Sequence, residues 1–333
     1  MVSDMLTKFE VRNLFGLYSY SLNFHENAEN GISILTGPNG YGKTTILNLI
    51  NAIYAMDKRA LCECPYETFT VYFDGVVLTC KQRRIPLALE EESDVVLEDD
   101  VVLEMAYFKE GQSNPMDTFV IRKTKDGVDG TFPGTFELFV RSRFLRYITD
   151  DRLILLKTDT VLSESAIKSE TLYSYAKNLS QRFRQEGVAN SGHDRVANEL
   201  AGNVELFQKV INKFHFSDKE MVISPLFGFR FKHLRTGEFI PLAKLSSGEK
   251  HLLIQTYSLV FDTPADAVAL IDEPEISLHP AWIVQYIDNL QEIQKFKSKE
   301  LERPFQIIIA THSPILIGQR WKMTMDLYEL SER

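Results

Sequence analysis

Apolar and polar residues alternate with a period near two along the first third of the chain. Two early segments with this alternation, Phe9–Leu14 and Tyr18–Phe24, predict strands. They precede the short apolar run Ile32–Leu35, whose continuous hydrophobicity is typical of a buried strand. The chain therefore begins with a β-rich region.

A second group of alternating segments predicts an antiparallel sheet. Phe69–Phe73 and Val76–Cys80 flank Asp74-Gly75, and Asp-Gly between alternating segments is a strong hairpin signal. Val101–Phe108 and Phe136–Val140 are predicted to extend the same sheet. Leu153–Leu156 is predicted to close this first lobe.

The hydrophobic period changes from Thr158 to about Asp218, where helical spacing replaces the alternation. Apolar residues recur at helical intervals within 172–179 and again within 204–214, and the glycine-containing segment 187–192 separates the two runs. Because no sustained heptad pattern is present, we expect a short helical insertion rather than a long coiled-coil arm. The predicted division is a first lobe at 1–157, the insertion at 158–221 and a second lobe at 222–333.

Composition adds limits to this picture. Hydrophobic residues make up 44% of the chain and charged residues 25%, which are ordinary values for a globular protein. The net charge of −9 argues against a surface that binds nucleic acid throughout, although the basic clusters 81–84 and 141–143 leave local contact with nucleic acid open. No run is apolar enough to span a bilayer, and acid stands near the N-terminus where a signal peptide carries base. We therefore expect a cytoplasmic protein without membrane contact.

Neither the cysteines nor the acidic stretch predicts a metal centre. Cys62, Cys64 and Cys80 lack a second ligand pair for zinc and are expected to be reduced structural thiols. The acidic stretch Glu90–Asp100 is expected to form an exposed loop or a helix edge.

The run after Ile32–Leu35 is a complete G-x-x-x-x-G-K-[ST] phosphate loop. Glycines let successive backbone N–H groups point at phosphates, and the following helix adds the positive end of its dipole. The lysine supplies a cation and the threonine hydroxyl a ligand for Mg²⁺. The predicted residues for binding ATP are Gly37, Pro38, Asn39, Gly40, Tyr41, Gly42, Lys43, Thr44 and Thr45, with Thr44 also a Mg²⁺ ligand.

A second motif, Leu245–Lys250, precedes a helical run in the second lobe. Alone it is equally a good helix cap. It resembles the LSxGE-K signature of ABC-type ATPases in the form found in repair and chromosome-maintenance heads. This resemblance implies that Ser246, Ser247, Gly248 and Glu249, at a helix start, bind the γ-phosphate of a nucleotide held by another subunit.

Two further motifs extend the resemblance. Asp272 and Glu273 end an apolar strand, where the family places the residue that orients Mg²⁺ and the catalytic base. The segment 275–280 resembles the interface loop, in the Leu-His-Pro form of OLD-type and RecF-like ATPases, and His312 follows an Ile-rich strand as the switch histidine. The family's glutamine after the last strand of the first lobe is not evident: Tyr147–Arg152 occupies its place, and Gln82 is the other candidate.

The four motifs together predict an α/β ABC-ATPase head of the OLD/RecF/SMC-like group. The resemblance implies a mixed, largely parallel core sheet around the phosphate loop, an antiparallel β subdomain and the short helical insertion. It also implies ATP and Mg²⁺ as ligands. Because each half-site is incomplete, it implies a homodimer, or a larger even-numbered oligomer, with ATP at its interface.

What hydrolysis drives is open among different classes of protein. The first hypothesis is a sensor or scaffold ATPase that controls a separate effector, a nuclease or toxin, as in bacterial antiphage defence. The alternative is a DNA repair or recombination ATPase of RecF or SMC type. A transporter subunit is disfavoured, because no Gln-Arg-rich helix follows the signature. A self-contained OLD nuclease is not expected, because few residues follow Pro314.

Overall fold

The computed structural model describes residues 5–24, 31–85, 100–149, 164–186, 195–214, 216, 218–300 and 305–331. Most of the acidic stretch, the run 153–156 and the break at 187–192 lie outside the described residues. The strands are β1 (Leu6–Leu14), β2 (Tyr18–Asn23), β3 (Ile32–Thr36), β4 (Thr68–Phe73), β5 (Val76–Ile85), β6 (Asp100–Lys109), β7 (Asp117–Thr124), β8 (Gly127–Asp129), β9 (Leu145–Ile148), β10 (Lys219–Ser224), β11 (Gly228–His233), β12 (Phe239–Ile240), β13 (Val268–Asp272), β14 (Gln306–Ala310) and β15 (Thr324–Asp326). The helices are α1 (Lys43–Tyr54), α2 (Lys58–Glu63), α3 (Gly134–Arg141), α4 (Glu164–Glu186), α5 (Arg195–Lys213), α6 (Ser247–Phe261), α7 (Pro280–Lys297), α8 (Pro314–Ile317) and α9 (Leu327–Leu330).

A five-stranded parallel sheet forms the centre of the fold, in the order β15-β3-β14-β13-β9. Its strands β3 and β14 are buried along their whole length, as expected for a parallel sheet covered on both faces. Asp272 pairs with Ala310, and Ala310 pairs with Leu35. The carboxyl ends of three strands therefore meet at one edge of the sheet.

The sheet separates two hydrophobic clusters. Neighbouring residues of β14 belong to different clusters: Ile307 and Ile309 lie in one, and Ile308 and Ala310 in the other. This division follows from the alternation of side chains along a strand. One cluster joins the sheet to α1 and the N-terminal strands, and the other joins it to α4, α5, α6 and α7.

A seven-stranded antiparallel sheet, in the order β2-β1-β4-β5-β6-β7-β8, carries the alternating segments of the first lobe. Phe73 pairs with Val76, so the predicted Asp74-Gly75 hairpin is confirmed. The α/β class with a parallel phosphate-loop sheet and an antiparallel part is confirmed as well.

The prediction of a strand at Phe136–Val140 is wrong, because these residues lie in α3. Phe136 and Val140 are both buried and stand one helical turn apart, whereas Leu138 between them is 72% exposed. Pro133 precedes the helix with a φ of −60°, which suits a helix start. Spacing by four residues placed the apolar side chains on one helix face.

The helices α4 and α5 contain the two apolar runs with helical spacing and pack against α6. A three-stranded antiparallel sheet, β10-β11-β12, follows them directly and packs on the same helices. Tyr175 of α4 stacks on Tyr257 of α6, with ring centroids 4.1 Å apart. This helical part is thereby fixed to the helix that begins at the predicted signature.

Two expectations from composition concern the thiols and the helices. Cys62, Cys64 and Cys80 are free, and burial raises the pKa of Cys80 to about 12, so this thiol stays protonated. Within the described ranges, none of the helices has the length and apolar character needed to traverse a bilayer.

Candidate functional site

The phosphate loop leaves β3 and enters α1 at Lys43, as the motif predicts. Gly42 caps α1 with a φ of 91°, in the left-handed region that favours glycine. A Cβ at this position would stand 2.7 Å from Leu14 Cδ2. The tight turn therefore depends on glycine for both its conformation and its space.

Lys43 is a buried cation held by carbonyl oxygens of its own loop. Lys43 is only 5% exposed. Its Nζ donates to the carbonyl oxygens of Gly37 (2.8 Å) and Pro38 (3.1 Å). Among the described residues it makes no ion pair. Burial lowers the pKa of Lys43, and the nearby carboxylates Glu273 and Asp272 oppose this shift. A buried ammonium held by its own loop fits an anionic ligand such as a phosphate.

Thr44 and Asp272 meet beside this cation. Thr44 Oγ1 donates to Asp272 Oδ1 across 3.2 Å, although the residues lie far apart in sequence. Burial raises the pKa of Asp272 to about 6, with further upward contributions from Glu273 and Glu275 and opposing ones from Thr44 and Lys43. A hydroxyl and a carboxylate are the hard oxygen ligands that Mg²⁺ prefers. Both residues fit the predicted magnesium role.

Glu273 and His312 lie together at the same sheet edge. His312 Nδ1 is 3.3 Å from Glu273 Oε1. The Glu273 N–H donates to the carbonyl oxygen of Ala310 across 2.9 Å, and Glu273 has a positive φ of 45°. This backbone conformation is unfavourable for a side chain with a Cβ, and such strain is concentrated at functional sites. The register of β13 against β14 therefore brings the predicted base to the predicted switch histidine.

Glu275 is a residue of the site that the sequence analysis did not single out. Its carboxylate is buried, and Oε1 accepts a hydrogen bond of 2.5 Å from Thr311 Oγ1 and lies 3.6 Å from His312 Nδ1. Its Oε2 is buried and has no hydrogen-bond partner among the described residues. The available signal was a second acid just beyond Glu273, in a segment interpreted as an interface loop.

A cavity of about 270 Å³ opens over the phosphate loop. Phe15, which lines one wall, was also not predicted, because it belongs to the turn between β1 and β2 rather than to a motif. Tyr41 does not line the cavity: its ring stacks on Tyr18 at 4.9 Å, and its carbonyl oxygen accepts from Tyr20 Oη. The lining residues are Phe15, Asn39, Gly40, Gly42, Lys43, Thr44, Thr45 and Glu273.

The signature residues lie outside this cavity. Ser246 caps α6 in a capping box, in which its Oγ accepts from Glu249 N and its own N–H donates to Glu249 Oε2. Ser246 and Ser247 are exposed, whereas Gly248 is buried so close to Ser277 that a Cβ would stand 2.4 Å from its carbonyl oxygen. The start of α6 is thus exposed at Ser246 and Ser247, and it does not line the cavity over the phosphate loop of its own chain.

Gln82 does not take part in this site. It lies in β5 of the antiparallel sheet, where its amide donates to the carbonyl oxygen of Cys64 and accepts from Tyr66 N and Arg84 Nε. At the other candidate position, β9 runs parallel to β13 and pairs Ile148 with Ile271, so Thr149 follows beside the sheet edge. Residues 150–152 lie outside the described part of the chain.

Known proteins share parts of this arrangement. Septu protein PtuA of Bacillus thuringiensis is 23% identical over 94% of this chain and 73% of that protein. The Smc head bound to the C-winged helix domain of ScpA covers 94% of this chain and 91% of its own, at 14% identity and a TM-score of 0.49. CbiO1 of Clostridium perfringens, part of the ABC transporter complex CbiONQ, covers 93% and 80% at 15% identity and a TM-score of 0.39. Both TM-scores are below 0.5, so neither structure supports a functional assignment of this chain.

One protein-family profile matches residues 117–318, which is more than half of the chain. The matched range includes the signature, Asp272, Glu273 and His312, and it begins after the phosphate loop. Its match agrees with the predicted ABC-type ATPase of the OLD/RecF/SMC-like group and supports ATPase activity in general. The chain belongs to the family described as AAA domain, putative AbiEii toxin, type IV TA system.

Proposed function

We propose that this protein binds ATP with Mg²⁺ and hydrolyses it in a dimer that encloses two nucleotides. The observation that carries the proposal is the buried ammonium of Lys43 in a glycine-rich loop, beside the Thr44–Asp272 pair, where it makes no ion pair with a described residue. A buried cation of this kind is costly without an anion, and the cavity above it is open to a ligand.

Each functional residue at the carboxyl edge of the parallel sheet has a separate role in this proposal. Lys43 and the backbone N–H groups of residues 39–45 hold the phosphates, while Thr44 and Asp272 hold Mg²⁺. Bound Mg²⁺ neutralises charge on the phosphate oxygens during phosphoryl transfer. Glu273 accepts a proton from the attacking water, and His312, 3.3 Å from its carboxylate, keeps that carboxylate oriented.

The position of the signature supports a composite site. Ser246 and Ser247 are exposed at the start of α6 and do not line the cavity over the phosphate loop. A second copy of the chain, related by a two-fold axis, would present its own α6 N-terminus to the γ-phosphate. Loss of the γ-phosphate removes charge-assisted contacts of several kcal/mol, so hydrolysis opens the dimer and acts as a switch.

The biological role that we propose is a sensor or scaffold for a separate effector, a nuclease or toxin, in antiphage defence. The description of the family as putative toxins of a TA system and the match to Septu protein PtuA support a role in a multicomponent system. The proposal predicts that an effector protein copurifies with the chain from its native host. DNA-stimulated hydrolysis without such a partner would instead support a repair ATPase.

The variant Glu273→Gln tests the central proposal. It keeps the shape of the side chain but cannot accept the proton, so we expect ATP binding, very slow hydrolysis and accumulation of a closed dimer. Size-exclusion chromatography with light scattering, with and without ATP, measures the change in mass. Glu110→Gln, on an exposed loop away from the site, is the matched control and should behave as the unchanged protein. A Glu273→Gln protein that binds ATP but stays monomeric would contradict the composite site.

A further inference from the structure

A second groove lies between α4 and the β10-β11-β12 sheet, and we call it the α4–β11 groove. Its cavity volume is about 580 Å³, and none of its lining residues lines the cavity over the phosphate loop. Along one wall, Tyr173, Lys177 and Arg184 come from one face of α4, spaced four and seven residues apart. The opposite wall is formed by Phe227, Arg230 and Phe239.

The charge of this groove is opposite to that of the whole chain. Lys177, Arg184 and Arg230 are exposed, no carboxylate is among the lining residues, and none of the three cations makes an ion pair within the described ranges. The chain as a whole carries a net charge of −9. A local group of unpaired cations on an acidic protein therefore indicates a site for an anion.

Flat rings accompany the cations. The Arg230 guanidinium lies 4.6 Å from the ring centroid of Phe227 and 5.7 Å from that of Phe239. A guanidinium placed against rings in this way does not use its N–H groups on them, so these groups can donate to a bidentate acceptor. Phe239 is 51% exposed and Tyr173 48%, so both rings present a face to a ligand rather than to the core.

The walls of the groove are held in place by close packing. Gly228 has a φ of 72°, and a Cβ there would stand 1.9 Å from the carbonyl oxygen of Ala176. Ser180 Oγ donates to the carbonyl oxygen of Pro225 across 2.7 Å. Helix and hairpin therefore meet backbone to backbone, and the groove is formed before any ligand arrives.

We propose that the α4–β11 groove binds a nucleoside phosphate, either as a free nucleotide or as one residue of a single strand. The base stacks on Tyr173 or Phe239, and the phosphate accepts from Arg230, Lys177 and Arg184. An acidic peptide satisfies the cations but supplies no flat ring for the exposed aromatic faces. Binding in this groove does not depend on the proposed ATPase function.

The test uses the full chain carrying Lys43→Ala, so that the phosphate loop does not contribute to binding. The probes are AMP, followed by calorimetry, and a fluorescein-labelled ten-nucleotide oligo(dT), followed by anisotropy at fixed salt. A labelled ten-residue polyglutamate peptide serves as the probe that carries charge without a base.

We expect Arg230→Glu to weaken binding by about tenfold or more, because it replaces the central phosphate contact with a repulsive charge. Phe239→Leu should weaken it by about tenfold through loss of stacking, and Phe239→Tyr should retain it. Lys232→Glu makes the same change of charge on the same strand outside the groove and should stay within about twofold. If Arg230→Glu lowers the melting temperature of the protein, the binding test is made instead with Lys177→Glu, which changes an exposed residue of α4.

The outcomes separate the two sources of ligand. Binding of both probes with this dependence on residues supports the shared chemistry, binding of the oligonucleotide alone identifies a single strand, and binding of AMP alone identifies a free nucleotide. The proposal is overturned if neither probe binds or if Arg230→Glu and Phe239→Leu behave as Lys232→Glu does. Polyglutamate that binds as tightly as the oligonucleotide would also overturn it.

Discussion

The pKa of Asp272 is unusually high for a carboxyl group that is expected to hold a metal ion. Burial is the largest cause that raises its pKa from 3.8 to about 6, and Glu273 and Glu275 add repulsion. The folded protein therefore binds a proton at pH values where the unfolded chain has released it. Stability then falls as the pH rises from 3.8 to about 6.

Asp272→Asn removes this titration and should stabilise the protein without nucleotide at pH 7.5. Allowing for partial solvent screening, we expect on the order of 1–2 kcal/mol, together with loss of stabilisation by Mg²⁺ and ATP. Urea unfolding at a series of pH values measures both effects. Asp266→Asn, at an exposed position shortly before the same strand, is the control and should change neither. An unaltered slope of stability against pH in Asp272→Asn would contradict the assignment.

Site residues at or after the ends of strands could be predicted from the sequence, whereas site residues in turns could not. Lys43, Asp272 and His312 each follow a buried strand, so parallel pairing brings them together. Glu275 and Phe15 reach the site from turns, and no period or spacing in the sequence specifies where a turn folds. Their positions depend on tertiary contacts.

A partly buried ion pair links helix α6 to strand β10. Lys219 Nζ lies 2.6 Å from Glu249 Oε1, and the two side chains are 20% and 4% exposed. The other oxygen of Glu249 accepts from Ser246 N across 2.8 Å. One carboxylate therefore holds both the signature turn and the strand that follows the helical part.

Lys219→Met should remove the cation that contacts the buried Glu249 carboxylate directly and cost about 3 kcal/mol. Because the signature turn loses one of its supports, ATP turnover should fall while ATP binding to the monomer is retained. Urea unfolding and a phosphate-release assay measure the two effects. Lys209→Met breaks the exposed ion pair with Glu292 and should cost no more than about 1 kcal/mol. Equal losses in the two variants would show that the pair has no special role.

Among the elements, hairpins and long helices were predictable and α3 was not. The Asp-Gly turn fixed the β4–β5 pairing, and long apolar spacing marked α4 and α5. In the short segment 136–140, Phe136, Leu138 and Val140 fit an alternating pattern, whereas Phe136, Phe139 and Val140 fit a helical one. Burial of Phe136 and Val140 on one face decides for the helix, and burial is a tertiary property.

At the scale of the whole molecule, the composite site predicts complementation between two inactive variants. Lys43→Ala loses the buried cation of the phosphate loop, and Ser246→Arg blocks the α6 N-terminus, so each variant alone should be inactive. A mixed dimer contains one site with both faces intact. Random mixing in equal amounts should therefore restore about one quarter of the unaltered turnover. Phosphate release measured across a series of mixing ratios should peak near equal amounts.

A site completed within one chain would give no recovery at any ratio. Mixing Lys43→Ala with Glu273→Gln is the matched control, since both changes lie on the same face of the site. That mixture should stay inactive, because neither pairing of chains restores a complete phosphate-loop face.

The domain division, the dimer and the effector stay predictions from sequence. The dimer and the effector depend on contacts between chains, which the structure of one chain does not contain. The strand order of the parallel sheet could be predicted only in part. The sequence indicates which segments are buried strands, but not which strands are neighbours in the sheet. That order depends on which apolar faces fit together, a property of the assembled core.

The sheet order has a consequence for a chain emerging from the ribosome. Strand β3, which carries the phosphate loop, is flanked by β14 and β15, whose residues are translated nearly three hundred positions later. Until those strands are synthesised, β3 has neither of its neighbours in the parallel sheet, and closing so long a chain segment is slow. We therefore expect a polypeptide that ends before residue 326 not to form the complete phosphate-loop site, so nucleotide binding should appear only after β15 has been synthesised.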